Sequence, residues 1–538
     1  MSDKGYDYII LGAGSAGCVL AARLSEDPAC RVLVLEAGGM DDSVFYKTPG
    51  LLGIVFQVPQ LKEKSDWGYK TAPQTATGGR EIPYTRGRIV GGCSTVNGML
   101  YVRGNRQNYD DWGADNPGWS YDDVLPCFRR SEGHEDGDSE FHGGDGPLKV
   151  TRQQHISPAS EAFVEAVSHA CDVPMTSDFN GASQEGAGYY HQTAAHRKRS
   201  SSSTAFLHPA LERDNLELQA GALATRIVIE GGRAVGVEYQ HGGEAKRATA
   251  GAEVICCLGA VGSPQLLMLS GIGPAAHLQS VGVDVISELP VGDNFHDHLY
   301  VPMRFFAPQA GHRSNARHMA SGIFQEFVLG RGWMGETFID GGAFVKTRPE
   351  EPLPDLQYHA APWAYPEPNS DVPGAWPDST PALTLLPTML YPKSRGTVRL
   401  RSSNAGEAPI IDPAFLTEQA DIDTLIRGCR LTRRIAATEP LASQLNGEAA
   451  PGADRQTDAE LTEEIKLRCH TVYHPVGSCK MAPGDDGVVD HHLRVKGIEG
   501  LRVADASIMP SVTGGNTNAA SIMIGERCAE LVRPEPIG

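Results

Sequence analysis

The chain has 538 residues, 41% hydrophobic and 21% charged, and a formal net charge of −19. That length calls for two or more packed units in an ordinary globular protein, and the acidic balance argues against a polyphosphate partner such as nucleic acid. Eleven cysteines without a C-x-x-C pair argue against a disulfide framework or a thiolate zinc site, and no apolar run approaches the roughly 18–20 residues that span a bilayer.

The opening, MSDKGYDYIILGAG, has neither the apolar core nor the small-residue cleavage site of a secretory leader and reads as a cytoplasmic start. Tyr8–Leu11 form a short strand, Gly12, Gly14 and Gly17 follow with G-x-G-x-x-G spacing, and a helix (Cys18–Leu24) leads to a second strand, Arg31–Leu35, ending at Glu36. Gly12 suits the tight turn, Gly14 a close approach of backbone to a pyrophosphate, and Gly17 the packing of helix on sheet. Glu36 falls where a carboxylate takes ribose hydroxyls. Strand, turn, helix, strand and acid in this order predict a dinucleotide site, and NAD and FAD share this adenosine grip.

Further along, TRGRIVGGCSTVNGMLYVRGN (Thr85–Asn105) is dense enough in glycine for a loop pressed against a flat ligand. SEGHEDGDSEFHGGDG reads as an exposed charged loop. After an ambiguous segment, Thr151–Thr204, HRKRSSSSTAF marks a return to the first domain. EVICCLGA is a buried strand in which Cys256 and Cys257 are packing residues, and GAVGSPQLLMLSGIG (Gly259–Gly273) places a helix at its end, beside the ligand crevice. Between Leu299 and Arg468 proline becomes frequent, and runs such as GTVRLRSS suggest antiparallel strands of a separate substrate-side domain.

Near the end, HTVYHPVGSCKM carries His470 and His474, and a strand (Leu501–Val503) ends at Asp505 before a Gly/Asn/Thr loop and a final helix. His474 has three readings: metal ligand, packed core ring, or base. A zinc pair with His470 needs a helix, which Pro475 opposes, and no H-E-x-x-H glutamate lies between them.

GRIVGGCSTVNGMLYVRGN, GAVGSPQLLMLSGIG, YHPVGSCKM and VTGGNTNAASIMIGE together resemble the signature and active-site segments of the glucose–methanol–choline oxidoreductase family of flavoproteins. The likeness covers nearly the whole chain and is greatest to the bacterial choline dehydrogenase-like and alcohol dehydrogenase-like branch. It implies an α/β fold: a doubly wound, Rossmann-like FAD-binding domain (1–150, 205–300 and 470–538) with an inserted α+β substrate-binding domain on an antiparallel sheet (151–204 and 301–469). It also implies FAD, a primary or simple secondary alcohol as substrate, proton abstraction with hydride transfer to flavin N5, and an O2 or quinone-type electron acceptor.

By the same resemblance His474 is the base and Asn516 the second active-site residue, which in relatives is His or Asn. An imidazole accepts a proton near neutral pH, and an amide donates to a developing alkoxide without titrating. The cofactor contacts it implies are Gly12, Gly14, Ser15, Ala16, Gly17, Glu36 and Ala37 in the first turn and strand. Trp67, Arg88, Gly92 and the loop Asn97, Gly98, Met99, Leu100 come next, with Ala224, Asp505, Ala506 and Thr517 from later segments. Val96 stands where members with covalent flavin carry a histidine, so non-covalent FAD is expected; Cys93 replaces a common serine. No metal site is assigned. His296 and His298 read as structural, His491 and His492 as an exposed turn. Trp333, Trp363 and Trp376 read as packing, and Asp340 as an acid that, facing the substrate, would favour a cation. The rival readings are a hydroxynitrile-lyase-type FAD protein without net redox chemistry, and a flavin-stabilised binder.

Overall fold

The structure, a computed structural model, describes residues 5–308, 316–365 and 381–532. Trp376 lies outside the described residues, as does part of the proline-rich stretch.

One sheet is built on β1 (Tyr6–Leu11), with α1 (Ser15–Leu24) leading to β2 (Val32–Glu36). β1 pairs in parallel with β2 on one side and with β3 (Glu244–Cys256) on the other, so Ile9 lies between Leu33 and Val254. Leu216–Ala220 extends the sheet beyond β2, and Leu501–Val503, here β4, pairs in parallel with β3. All five residues of β2 are buried, as are Ile9, Ile10 and Leu11. Such unbroken apolar runs, rather than alternation, are what a parallel sheet covered on both faces requires. α2 (Gly259–Leu269) follows β3, and α3 (Thr517–Val532) packs against α1. Cys256 and Cys257 are buried at the end of β3.

The second sheet is nine-stranded. Its path runs Glu448–Ala450, Met303–Phe306, Ala382–Met389, Leu356–Ala361, Gly341–Val345, Gly186–Tyr189 and Met175–Thr176, with Leu299–Tyr300 and His470–Thr471 joined at the side. Most of its pairings are antiparallel. Its strand Leu356–Ala361 shows how the sheet serves the site. Tyr358 points to the helices behind, its ring 5.9 Å from Phe163 and its hydroxyl 3.0 Å from Thr432 Oγ1. Gln357 and His359, one residue either side, face the opposite way, as the period of two dictates. GTVRLRSS contributes an antiparallel pair, Thr397–Arg399 with Ile410–Asp412, but in a separate ribbon outside this sheet.

The segment SEGHEDGDSEFHGGDG is an exposed loop only in its middle, where Glu135, Asp136, Asp138 and Glu140 face solvent, while Glu132, His134 and His142 on its flanks are buried. Glu132–His134 is a buried strand parallel to Leu148–Val150. Glu132 is ion-paired to the buried Arg103, and the His142 ring bridges Glu132 and Asp178. Those partners neutralise the segment from distant parts of the chain, which makes its burial affordable. His142 is raised to about 9; burial opposes the shift, and the hydrogen bonds to Asp178 and Glu132 outweigh it. His491 and His492 lie in a turn, half-buried rather than exposed.

Candidate active site

A cavity of about 740 Å³ runs from the first sheet to the second, within the size range of small-molecule and cofactor sites. Gly12, Gly14, Ser15, Ala16, Glu36 and Ala37 line it at the ends of β1 and β2. Gly12 has φ +95°, where a side chain would press on the Cys257 carbonyl. Gly17 is the one expected contact that stands back from the cavity: a Cβ there would lie 2.0 Å from the Gly12 carbonyl oxygen, so its bareness seats α1 under the turn. The first residues of α1, α2 and α3 all line this space (Ser15, Gly259 and Thr517). Converging helix N-termini give a positive field, the environment a pyrophosphate seeks, although the first N–H of α2 is already taken by the Asp505 carboxylate. The cradle fits FAD.

Glu36 is buried, with Oε2 accepting from Ala13 N and Oε1 from Gly38 N. Burial pushes its pKa up to about 7 against those two bonds. It therefore clasps its own turn as well as facing the cavity. Asp505 is likewise a clasp, accepting from Gly259 N, Ser263 Oγ and Ser507 N, and it lines the cavity with Ala506. Trp67, Arg88, Gly92, Ala224 and Thr517 also lie in the wall, the Arg88 guanidinium 5.0 Å over the Trp67 ring.

Asn97, Gly98, Met99 and Leu100 form one stretch of the wall. Met99 has φ +64°, a conformation held by the Asn97 side chain, whose Oδ1 accepts from Met99 N. Arg199, buried, clamps this stretch from behind by donating to Asn97 Oδ1, Ser94 O and Tyr46 O. Nothing in the local sequence marks Arg199 for this role. Val96 is buried beside the loop and offers no nucleophile.

His474 and Asn516 meet in the wall where the two sheets approach. His298 Nε2 lies 3.0 Å from the Leu390 carbonyl, which can only accept, so that nitrogen carries the hydrogen. In a neutral ring His298 Nδ1 then accepts, and at 3.1 Å it takes the hydrogen of His474 Nδ1. His474 Nε2 is left with its lone pair, 3.2 Å from the Asn516 amide nitrogen. Gln357 Nε2 donates to Asn516 Oδ1 at 3.0 Å and thereby turns the amide's N–H groups toward the histidine. His298 is thus buried, as a structural ring would be, yet it also orients the His474 ring.

The backbone of His474 is held by Asp297, which accepts from His474 N, Thr471 Oγ1 and the Tyr84 hydroxyl. Tyr473 just before it has φ +66°. Burial, with smaller contributions from His298, His359 and Arg86, holds the His474 pKa well below the ordinary imidazole value. The ring is neutral at physiological pH. His470 makes no pair with it, its Nδ1 instead lying 2.9 Å from the Thr471 carbonyl. His296 is buried against Asn294 O and Val512 N.

Around this pair the wall is aromatic and aliphatic: Tyr300, Phe338, Ile339, Tyr365, Leu386 and Tyr473. Asp340 is not among these residues. Its carboxylate turns away to accept from Ser160 Oγ, Ser157 N and Gly341 N. Backbone and hydroxyl donors at the start of a neighbouring helix satisfy it more fully than an apolar pocket would. Trp363 packs on Phe338 at 5.5 Å, and Trp333 stacks on His318.

Residues 6–300 and 392–525 match the two GMC oxidoreductase domain profiles. The chain is 40% identical to mitochondrial choline dehydrogenase of Homo sapiens, over 99% of this chain and 90% of that protein. It is 39% identical to alcohol dehydrogenase [acceptor] of Pseudomonas putida, over 98% of this chain and 95% of that protein. Among solved structures, pyridoxine 4-oxidase from Mesorbium loti superposes with a TM-score of 0.88 at 30% identity, covering 98% of each chain. By these profiles and the extent of these identities, the chain belongs to the GMC oxidoreductase family and is an FAD-dependent alcohol oxidoreductase.

Proposed function

We propose that this chain oxidises an uncharged primary or simple secondary alcohol, with His474 as base and Asn516 as donor to the reacting oxygen. In this reading residues 1–150, 205–300 and 470–538 hold the cofactor and 151–204 with 301–469 supply the substrate side. Gly12, Gly14, Glu36, Arg88, Asn97–Leu100, Asp505 and Thr517 are among the residues that hold FAD non-covalently. FAD held there would supply a two-electron acceptor for the substrate's hydride. The observation that carries the reading is the order of hydrogen bonds from Leu390 O through His298 to His474, which leaves Nε2 as an acceptor in the cavity wall.

His474 Nε2 takes the hydroxyl proton as the carbon–hydrogen bond breaks. One N–H of Asn516 donates to the oxygen as charge builds on it, worth more in this buried setting than in water. A mere binder has no need of an alkoxide donor beside an unprotonated imidazole; a hydroxynitrile lyase would use the same pair to take a cyanohydrin's hydroxyl proton, and it is set apart by a flavin that its substrate never bleaches.

The preference for an uncharged substrate rests on magnitudes. A permanent cation buried without a counter-charge loses several kcal/mol of hydration, and ring faces return only about 0.5–2 kcal/mol. The carboxylates in the cavity wall are Glu36, Asp505 and Glu407, of which Glu36 and Asp505 already accept from backbone and hydroxyl donors, and the charge of Arg86, which donates to the Tyr473 carbonyl, is countered by Asp297 and Asp66. The test is anaerobic mixing of holoenzyme with straight-chain alcohols, benzyl alcohol and choline while flavin absorbance is followed. The uncharged alcohols should bleach the flavin fastest. A flavin that no alcohol bleaches would refute the oxidoreductase chemistry, and choline as the best reductant would refute the preference. Reoxidation of the bleached enzyme by air or only by a quinone then assigns the acceptor.

A further inference from the structure

Among the described residues, five of the most exposed large apolar side chains fall within seven consecutive positions. Ile323, Phe324, Phe327, Val328 and Leu329 are 40%, 54%, 52%, 65% and 45% exposed. They occupy the C-terminal half of the helix Ala316–Phe327 and the two residues after it. Scattered exposed hydrophobics are ordinary, whereas a contiguous run marks a contact surface.

The helix is fixed to the body by its other side. Gly322 sits against Trp333 and Met334, the His318 ring stacks on Trp333, and Glu326 is ion-paired to Arg197. Its apolar side therefore stays outward. Arg317 and Arg331, both exposed, bracket the run. The only acid between them is Glu326, which Arg197 neutralises. A locally basic, apolar spot on a chain of net charge −19 is complementary to a negative apolar interface. Two copies joined face to face would instead bring like charges together.

The spot also has a place relative to the cavity. The turn Trp333–Gly335 that follows packs against Pro49–Leu51, whose continuation supplies Leu52 and Phe56 to the cavity wall. Three residues beyond that turn, Phe338 and Ile339 line the substrate end.

We propose that this face docks on the surface of a bilayer containing anionic lipid, with Phe324, Phe327 and Val328 in the acyl boundary and Arg317 and Arg331 at the headgroups. Interfacial helices with an apolar face and flanking cations bind in this way, without crossing the membrane. Docking would set the wall of the substrate end toward the bilayer, a source of apolar alcohols and of lipid-soluble acceptors.

The test uses the holoprotein and sedimentation with vesicles of phosphatidylcholine alone or mixed with phosphatidylglycerol. The parent should sediment with the mixed vesicles, and less so as salt is raised. F324D/F327D should bind on the order of tenfold or more weakly, with FAD content and alcohol-driven reduction of a soluble dye unchanged. Those two readouts separate a failure of docking from a failure of the alcohol reading. A parent that stays in the supernatant with both vesicles would overturn the proposal, as would a double variant that sediments like the parent. So would a parent dimer that F324D/F327D dissociates, since the face would then be a contact between copies.

Discussion

The neutrality of the imidazoles around the base can be weighed through His359. Its ring is buried in the cavity wall, stacked 5.7 Å from Tyr190, with Nδ1 3.3 Å from Thr388 Oγ1. Burial pushes its pKa down to about 3, against an unfolded value of about 6.5. Because the folded value is the lower, the unfolded chain takes the proton first. The ring costs no stability above about pH 6.5, an increasing amount as pH falls, and its full amount near pH 3. At about pH 5 the gap of about 1.5 units corresponds to about 2 kcal/mol. His359→Gln removes this titration while keeping an amide for Thr388. Urea unfolding of both holoproteins at about pH 8 and about pH 5, followed by tryptophan fluorescence, cancels the packing cost of the substitution. The parent should lose about 2 kcal/mol more than the variant between the two conditions. Equal losses would mean that the folded ring titrates like a free one, and the account of a neutral cluster around His474 would fail with it.

Acid precipitation should release all the yellow colour to the supernatant, since Val96 offers nothing to bond a flavin; colour in the pellet refutes this. Glu36→Ala should lower FAD retention far more than the reduction rate of molecules that keep it, because the carboxylate clasps the first turn at Ala13 and Gly38; a variant purified with full flavin would refute its placement. His474→Ala should cut alcohol-driven flavin reduction by about 10²–10⁴-fold, less so at high pH where alkoxide is available. Asn516→Ala should slow it with little change in pH dependence and Asn516→His should retain activity; rapid mixing across pH distinguishes the three. His298→Ala should lower the limiting reduction rate, because the ring that fixes the tautomer of His474 is lost, with alcohol affinity little changed; an unaltered rate would reduce His298 to packing.

What was legible in the sequence was local. The G-x-G-x-x-G turn, the strand before it and Glu36 lie within one supersecondary unit, and their spacing carries the geometry. His474 stood out through Pro475 and the motif around it. The groups that orient it did not, because Asp297, His298 and Gln357 reach His474 and Asn516 across more than a hundred residues of chain. Arg199 is similarly remote from the Asn97 loop that it clamps. The burial at the flanks of residues 131–146 has the same origin: a charge count treats Glu132 and His142 as solvated, like the exposed acids between them, while Arg103 and Asp178 arrive only through folding. The orientation of Asp340 stayed open in the sequence because a strand-end acid has two faces to choose from, and the helix-start donors at Ser157 and Ser160 are invisible from its neighbours.

The contact between α1 and α3 has a bearing on biosynthesis. Ser15 Oγ donates to Asn518, and Arg23 is paired with Glu526. The glycine turn is translated 503 residues before Asn518 of the helix that closes over Ser15. Chains fold during synthesis from the N-terminus onward, yet here the earliest segment cannot complete its ligand cradle by waiting for its neighbours. A chain lacking residues 501–532 would expose the side of β3 that β4 covers and leave the dinucleotide turn without the helix that packs on α1.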